Sequence, residues 1–189
     1  MIPLLDKGTI MKDIKLKNGQ ILTIAQATLE DAENHAIYTN NIMIESNFLS
    51  MDQKDGVSTA NSQSKWIETT LNNDKIFIFF AKIDGKIVGC ANFSPISNKI
   101  RFKHRCDMGI SVLKEFWGLG IASEMMRVLV EKAKEVGYEQ IELQVVDTNE
   151  PARHLYTKFG FYETGFINNA MKYTDGTYAK FILMQKDLI

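Results

Sequence analysis

A glycine turn near the middle of the chain constrains the fold most strongly, because it joins a strand pattern to a long helical pattern. The turn spans residues 117–120, with the sequence WGLG. Residues 102–112, before the turn, have the composition of a strand. Residues 121–136, after it, repeat apolar side chains at helical spacing, and Gly137 is typical of a helix C-terminus. These patterns predict a strand–turn–helix unit at the centre of the fold.

Further strand and helix patterns flank this unit on both sides. Strands are predicted at residues 20–27, 75–83, 87–93, 140–146, 161–167 and 177–185. Helices are predicted at residues 29–44 and 151–159, and a further helix is predicted to start at Ser62 or Ser64. The resulting order, β-α-α-β-β-β-α-β-α-β-β, excludes a doubly wound parallel sheet and a pure meander. It predicts an α/β fold of the mixed-sheet (α+β) type, with helices on the faces of the sheet.

A single domain is predicted for residues 20–189. The chain of 189 residues suits one substantial core, and no repeat or low-complexity segment interrupts it. Residues 1–19 are interpreted as an N-terminal extension or an edge strand. Ile14 and Leu16 alternate with polar residues there, and Asn18-Gly19 then supplies a hairpin turn signal.

Charge and hydropathy argue against several classes of function. The formal net charge is -1, without the basic excess of a nucleic-acid-binding protein. No apolar run approaches the roughly 20 residues of a membrane span, and the N-terminus lacks the pattern of a secretion signal. We therefore expect a cytoplasmic protein with no membrane partner. Cys90 and Cys106 are interpreted as reduced thiols used as small hydrophobes, and no Cys/His cluster has the spacing of a metal site.

The glycine turn has the features of an anion-binding site. The first N–H groups of a helix have no intrahelical partner, and that helix end carries a partial positive charge. Glycines also allow the backbone to approach phosphate oxygens closely. A tight strand-to-helix turn with positive φ is the structural alternative for Gly118 and Gly120. A Walker loop is excluded because its Gly-Lys-Ser/Thr end is missing, and Ser123 stands where a dinucleotide fingerprint has its third glycine.

A second motif lies at residues 149–161, some thirty residues after the turn. Its sequence, NEPARHLYTKFGF, matches the pattern Asn-x-x-Ala-x-x-Leu-Tyr-x-Lys-x-Gly-Phe at seven positions. In the turn, Gly120 and Ala122 match the pattern Gln/Arg-x-x-Gly-x-Gly/Ala, whereas Trp117 replaces its Gln or Arg. Together the two motifs resemble the GNAT superfamily of acetyl-CoA-dependent N-acetyltransferases. The resemblance covers residues 20–186 and implies a mixed, mostly antiparallel sheet flanked by about four helices.

The resemblance implies acetyl-CoA as the co-substrate and assigns the residues that bind it. Backbone N–H groups of the glycine turn are expected to hold the pyrophosphate, and the preceding strand is expected to pair with the pantetheine arm. The implied residues are Ile110, Ser111, Val112, Trp117, Gly118, Leu119, Gly120, Ile121, Ala122, Ser123, Asn149 and Tyr156. No metal is implied.

The resemblance also implies direct attack of an amine on the thioester, without an acyl-enzyme. Tyr156 is the implied proton donor to the leaving thiolate, and core packing is its alternative because it lies on an apolar helical stripe. A backbone N–H at a bulge near Val112 is the expected donor to the oxyanion. Some family members place a Glu base where this chain has Gln144. Asp107 is therefore the candidate base, with an exposed strand-face carboxylate as its alternative.

A primary amine of a small molecule or peptide is the implied acceptor. The first two helices are expected to border its pocket together with Glu45, Asp52 and Asp55, whose charge suits a cationic amine. The basic stretch at residues 101–105 is either a contact for the 3′-phosphate of CoA or a solvated strand end. The alternative to an enzyme is a catalytically silent GNAT-fold protein that binds CoA esters as a sensor or interaction module. The resemblance further implies a homodimer.

Overall fold

One sheet of eight strands and four α-helices form the fold in the computed structural model, which describes residues 10–189. The part of the interpreted N-terminal extension at residues 1–9 lies outside the described residues. The strands are β1 (Ile10–Lys15), β2 (Ile21–Gln26), β3 (Phe77–Ile83), β4 (Lys86–Pro95), β5 (Arg105–Val112), β6 (Gln140–Val146), β7 (Tyr162–Lys172) and β8 (Tyr178–Asp187). The helices are α1 (Ala32–Glu45), α2 (Ala60–Leu71), α3 (Ile121–Val136) and α4 (Glu150–Lys158).

The sheet is mixed and mostly antiparallel, which confirms the predicted fold class. Its strand order is β1-β2-β3-β4-β5-β6-β8-β7. Of the strand pairs in the described part of the chain, β5 with β6 is the parallel one. Between β3 and β4, Asp84 and Gly85 both have positive φ, at 50° and 76°, as a type I′ turn requires.

Several element boundaries differ from the predicted ones for local reasons. Helix α2 begins at Ala60 rather than at a later serine, because the Thr59 hydroxyl oxygen accepts a hydrogen bond from the Ser62 N–H at 3.2 Å. Strand β5 begins at Arg105 rather than at residue 102, because residues 100–102 form a turn of 3-10 helix. Helix α3 has the predicted bounds and ends at Gly137, whose φ is 93°.

The two faces of the sheet carry different pairs of helices. On one face, Leu129 of α3 and Tyr156 of α4 belong to a core cluster that includes the fully buried Phe93 of β4. On the other face, Tyr38 of α1 and Ile67 of α2 belong to a second cluster, together with β3 and β4 residues. The site described below lies where β5 meets both layers. None of the helices in residues 10–189 is long and apolar enough to cross a bilayer.

Candidate active site

A cleft opens in the middle of the sheet because β5 and β6 separate after a short parallel pairing. They pair only from Arg105 with Gln140 to Asp107 with Glu142. The remaining residues of both strands line a cavity of about 1670 Å³. The backbone groups of β5 that would have continued this pairing are therefore available to a ligand.

The edge of β5 that faces this cleft can be assigned from its pairing with β4. The N–H of Leu113, the residue after β5, donates to the carbonyl oxygen of Val88 on β4 at 2.9 Å. Because amide direction alternates along a strand, the N–H groups of Met108, Ile110 and Val112 point to the opposite edge, toward β6. The amide of Ser111 faces β4 instead. The predicted pantetheine-binding segment thus presents two N–H groups, from Ile110 and Val112, to the cleft.

The bulge predicted near Val112 is wrong. The register of β4 against β5 runs without a shift from Gly89 opposite Val112 to Pro95 opposite Cys106. No bulge is needed to free the Val112 N–H, because β5 has already diverged from β6 at this residue and no neighbouring strand in residues 10–189 pairs with that N–H. The Val112 N–H therefore lies on a regular strand edge.

The glycine turn directs the N-terminus of α3 into the same cleft. Gly118 and Gly120 adopt left-handed conformations, with φ of 77° and 85°. Gly120 has no side chain to cap the helix, and within residues 10–189 the N–H groups of Ile121, Ala122 and Ser123 have no hydrogen-bond partner. These three residues line the cavity and form an anion site of suitable chemistry for a pyrophosphate.

Two residues of the turn have roles beyond the predicted backbone contacts. The Trp117 indole Nε1–H donates to the Val112 carbonyl oxygen at 2.7 Å, which ties the turn to the end of β5. Trp117, which stands where Gln or Arg was expected, therefore contributes a polar contact to the protein. Leu119 is the one predicted residue of the turn that does not line the cavity, since its side chain packs against the core.

Helix α4 brings the second motif to the opposite side of the cleft. The Asn149 side-chain oxygen accepts a hydrogen bond from the Ala152 N–H at 3.3 Å and so caps the helix. Tyr156 packs against Phe161, with ring centroids 5.9 Å apart. Burial raises the pKa of Tyr156 to about 12, so its phenol stays protonated at neutral pH. Tyr156 also lines the cavity, and its hydroxyl has no hydrogen-bond partner in the described part of the chain.

The Asp107 side chain lies on the face of the sheet opposite to the face that carries α4, at the point where β5 and β6 separate. Its carboxylate accepts a hydrogen bond from the Ser94 hydroxyl at 2.7 Å. Glu142 is its neighbour on β6 and receives a hydrogen bond from Nε of Arg105. Gln144 follows two residues later on the same face of β6. Asp107 and Glu142 both line the cavity, and Asp107 is also exposed, as the alternative of a strand-face carboxylate predicted.

Helices α1 and α2 line the cleft, as was expected of the first two helices, with residues that the sequence interpretation did not name. The Tyr38 hydroxyl and the Ser111 hydroxyl form a hydrogen bond of 2.7 Å, which connects α1 to β5. His35 and Trp66 stack with ring centroids 5.2 Å apart. Burial lowers the pKa of His35 to about 4, so this ring is neutral at neutral pH. No signal in the sequence indicated the positions of His35 and Trp66 in the cleft, and only the packing of the helices against β5 shows them.

The acidic residues expected around the acceptor pocket do not line the cavity themselves. Glu45 accepts a hydrogen bond from the Lys114 backbone N–H at 2.8 Å. Asp52 and Asp55 cap their own short turn, in which the Asp52 N–H donates to Asp55 at 2.8 Å. None of the three is among the described residues that line the cavity.

The basic stretch at residues 101–105 also lies away from the expected phosphate site. It comes at the start of β5, whereas the glycine turn follows the end of that eight-residue strand. At about 3.3 Å per residue, the strand between them extends over roughly 20 Å. A solvated strand end is therefore the better interpretation of residues 101–104, whereas Arg105 lines the cavity and pairs with Glu142.

Comparison with known proteins identifies one family. Residues 42–161 match the family model described as the acetyltransferase (GNAT) family. AaaT, an L-amino acid N-acetyltransferase from Escherichia coli (strain K12), is 33% identical over 101 residues. The match covers 53% of this chain and 62% of that relative. The chain thus spans 62% of the length of the curated relatives it matches.

Solved acetyltransferases have the same fold. A GNAT-family acetyltransferase from Streptococcus pneumoniae is 27% identical, with a TM-score of 0.82 over 88% of this chain and 99% of that one. YncA from Salmonella typhimurium, solved with its cofactor acetyl-CoA, is 17% identical, with a TM-score of 0.79 over 89% of this chain and 94% of that one. At 17% identity, the second likeness shows the fold alone.

Proposed function

Because the chain belongs to the acetyltransferase (GNAT) family, we propose that it transfers acetyl from acetyl-CoA to a primary amine of a small molecule or peptide. We assign this activity to a domain at residues 20–189. The observation that carries the proposal is the meeting of three features in one cleft. These are the unpaired edge of β5, the uncapped N-terminus of α3 and the unpaired hydroxyl of the buried Tyr156.

The residues of the cleft fit the chemistry of acetyl-CoA. The free N–H groups of residues 121–123 suit the pyrophosphate, since they are directed into the cavity by two left-handed glycines. The Ile110 and Val112 N–H groups on the edge of β5 suit the amide groups of the pantetheine arm, as in the addition of a strand to a sheet. That placement directs the thioester toward the base of the opening between β5 and β6.

The proposed reaction uses a backbone N–H of β5 and a few side chains of the cleft. The amine nitrogen attacks the thioester carbonyl carbon, the carbon–sulfur bond breaks, and the sulfur leaves as the thiolate of CoA. An N–H on the edge of β5 donates to the carbonyl oxygen as negative charge develops there. Asp107 accepts a proton from the acceptor ammonium, most of which is charged at neutral pH because alkylamines have pKa values near ~10. A second proton from the amine completes the CoA thiol.

Tyr156 acts in this scheme as a hydrogen-bond donor to the sulfur. Burial raises the pKa of Tyr156 to about 12, well above the ~8.5 of an ordinary thiol. Full transfer of the phenolic proton to the thiolate is therefore unfavourable at equilibrium. A hydrogen bond from the phenol still lowers the energy of the developing thiolate, and burial in the cleft strengthens it.

The acceptor class is proposed to include amino acids and peptide amines. The relative from Escherichia coli is named as an L-amino acid N-acetyltransferase, which supports this choice. Gln144 stands where some family members that modify protein N-termini carry a Glu base. Asp107, in the last pair before the strands separate, takes the role of the base in this proposal.

Thiol release from acetyl-CoA tests the proposal. The protein is incubated with acetyl-CoA and with polyamines, amino acids, aminoglycosides and short peptides in turn. We expect release that depends on one class of amine and saturates with its concentration. Tight binding of CoA by calorimetry without release for any amine indicates a silent CoA-ester-binding protein instead. Absence of CoA binding contradicts the assignment of the cleft itself.

A further inference from the structure

The part of the cleft away from the glycine turn has two walls of different chemistry. One wall consists of polar side chains that four strands present on the same face of the sheet. This polar floor comprises Ser94, Asp107, Glu142, Gln144 and Gln185. The other wall comes from α1, α2 and the segment between them. This apolar roof comprises Ile42, Phe48, Leu49, Met51 and Trp66.

The apolar roof exposes large side chains toward the cavity. Phe48 and Trp66 are each 38% exposed, and Met51 is 44% exposed. Scattered single apolar residues are ordinary on a protein surface, but these three line one cavity. An apolar patch that lines a concave site with a few polar groups opposite is characteristic of a small-molecule pocket. The roof is therefore suited to cover an apolar group of a ligand.

The Trp66 ring is held in place by a chain of contacts that reaches β5. It stacks on His35 with an interplanar angle of 18°, and His35 stacks in turn on Tyr38 at 5.8 Å between ring centroids. Tyr38 is hydrogen-bonded to Ser111 on β5. Since Ser111 lies between the two residues whose N–H groups face the cleft, the roof keeps a fixed position relative to the proposed thioester site.

The polar floor carries the charge that an ammonium group requires. Two carboxylates, Asp107 and Glu142, and one guanidinium, Arg105, lie side by side there. The Arg105 guanidinium pairs with Glu142, whereas Asp107 is bound by the neutral Ser94 hydroxyl. One negative charge thus remains at Asp107. His35, which stacks on the roof, adds no positive charge at neutral pH because burial lowers its pKa to about 4.

We infer that the acceptor is a primary amine with an aromatic or long apolar substituent, which covers the apolar roof while its ammonium group meets Asp107. The inference rests on the proposed acetyl transfer and adds the substrate class. An ammonium group at Asp107 lies where β5 and β6 separate, beside the proposed thioester. A polyamine would bring a second charge against the roof, and an anionic acceptor would meet the negative floor.

A series of acceptors tests the inference on the wild-type protein. The value of kcat/KM is measured by thiol release for ethylamine, butylamine, hexylamine and 2-phenylethylamine. We expect it to rise roughly ten- to hundredfold from ethylamine to 2-phenylethylamine, since burying a side chain of that size gives such a factor. Equal or falling values across the series overturn the inference but leave acetyl transfer intact. No release with any amine overturns the proposed function as well.

Two variants locate the preference at the roof. Trp66→Ala and Phe48→Ser are each expected to lower the ratio of kcat/KM for 2-phenylethylamine over ethylamine by roughly tenfold. Phe48 lies in the connection between α1 and α2, so Phe48→Ser still tests the preference if the Trp66→Ala variant fails to fold. Phe166→Ala is the matched control, because Phe166 is 62% exposed and does not line the cavity. A ratio unchanged in both roof variants, or lowered equally in the control, contradicts the inference.

A comparison of phenylalanine with 2-phenylethylamine tests whether the acceptor is an amino acid or a plain amine. It adds a carboxylate to the carbon that bears the amine, within reach of the Arg105 guanidinium if the ammonium group meets Asp107. Calorimetry in the presence of CoA compares the binding of phenylalanine and 2-phenylethylamine without turnover. If Trp66→Ala weakens the binding of either compound, the result supports an apolar acceptor. The compound that binds more tightly to the wild type shows whether that acceptor is an amino acid or a plain amine. Failure of both to bind overturns the inference.

Discussion

Substitution of Gly120 by alanine separates the role of the glycine turn in binding from its role in folding. Gly120 has a φ of 85° at the start of α3, and a Cβ there would meet no atom within 4 Å. The cost of the change is therefore conformational rather than steric. The left-handed conformation costs a residue with a Cβ about 1–2 kcal/mol, and alanine recovers about 0.5 kcal/mol by restricting the unfolded chain. We expect a net loss of about 1 kcal/mol, which lowers Tm by about 2–4 °C for a chain of this size.

The same substitution is expected to weaken the binding of CoA by more than the conformational cost of the backbone alone would weaken it. If the turn relaxes, the N–H groups of residues 121–123 no longer point together into the cleft. A hydrogen bond to a charged group contributes about 1.5–3 kcal/mol. Loss of one such bond to the pyrophosphate raises the Kd of CoA roughly ten- to hundredfold, as measured by calorimetry.

Gly137→Ala is a matched control for this prediction. Gly137 ends the same helix with a φ of 93°, and its Cβ position is also free of neighbours within 4 Å. It does not line the cavity. We expect a similar fall in Tm and a Kd of CoA that stays within about twofold of the wild-type value, because no phosphate contact is lost at that helix end. Equal affinities in Gly120→Ala and the wild type, or an equal loss in both variants, would refute the reasoning.

Three further predictions concern single side chains. Tyr156→Phe keeps the packing on Phe161 but is expected to lower kcat roughly 10²–10³-fold through loss of one hydrogen bond to the sulfur, with little change in the Kd of CoA, and an unchanged kcat in the thiol assay excludes Tyr156 from the chemistry. His35→Phe tests acid sensitivity: burial lowers the pKa of His35 from its ordinary 6.5 to about 4, so its contribution to stability is complete above pH 6.5 and is lost as the pH falls toward 4. Urea unfolding should show the wild type losing about 3 kcal/mol more than the variant between pH 7 and pH 4, and parallel curves would contradict this. Trp117→Phe removes the 2.7 Å hydrogen bond to Val112 and is expected to cost about 1 kcal/mol of stability and to raise the KM of acetyl-CoA several-fold, whereas an unchanged KM would show that the bond does not position the turn.

Local signals in the sequence were sufficient for the elements around the glycine turn. The bounds of α3 followed from an apolar stripe at helical spacing and from glycines at both ends. The residues of the turn adopt the left-handed conformations that such glycines permit. The cap of α4 by Asn149 is likewise a local contact, between residues three apart in the chain. Interactions between near neighbours depend on the sequence pattern alone.

Features that depend on the relative placement of strands were not predictable in the same way. The apolar pattern of β6 is the same whether or not β5 pairs with it, so the opening of the sheet after Asp107 has no local signal. The predicted bulge near Val112 failed for this reason. The positions of His35 and Trp66 in the cleft were also missed, because an aromatic residue on a helix gives the same sequence pattern whether it faces a core or a cleft.

Detection of the acetylated amine tests the central claim most directly. The protein is incubated with acetyl-CoA and 2-phenylethylamine, or with the best acceptor found in the screen, and the product is identified by mass spectrometry alongside the thiol released. The account predicts that acetyl is attached to nitrogen in an amount equal to the thiol, and that Tyr156→Phe slows both equally. Thiol release without an acetylated amine, or no product in the presence of bound acetyl-CoA, would contradict it.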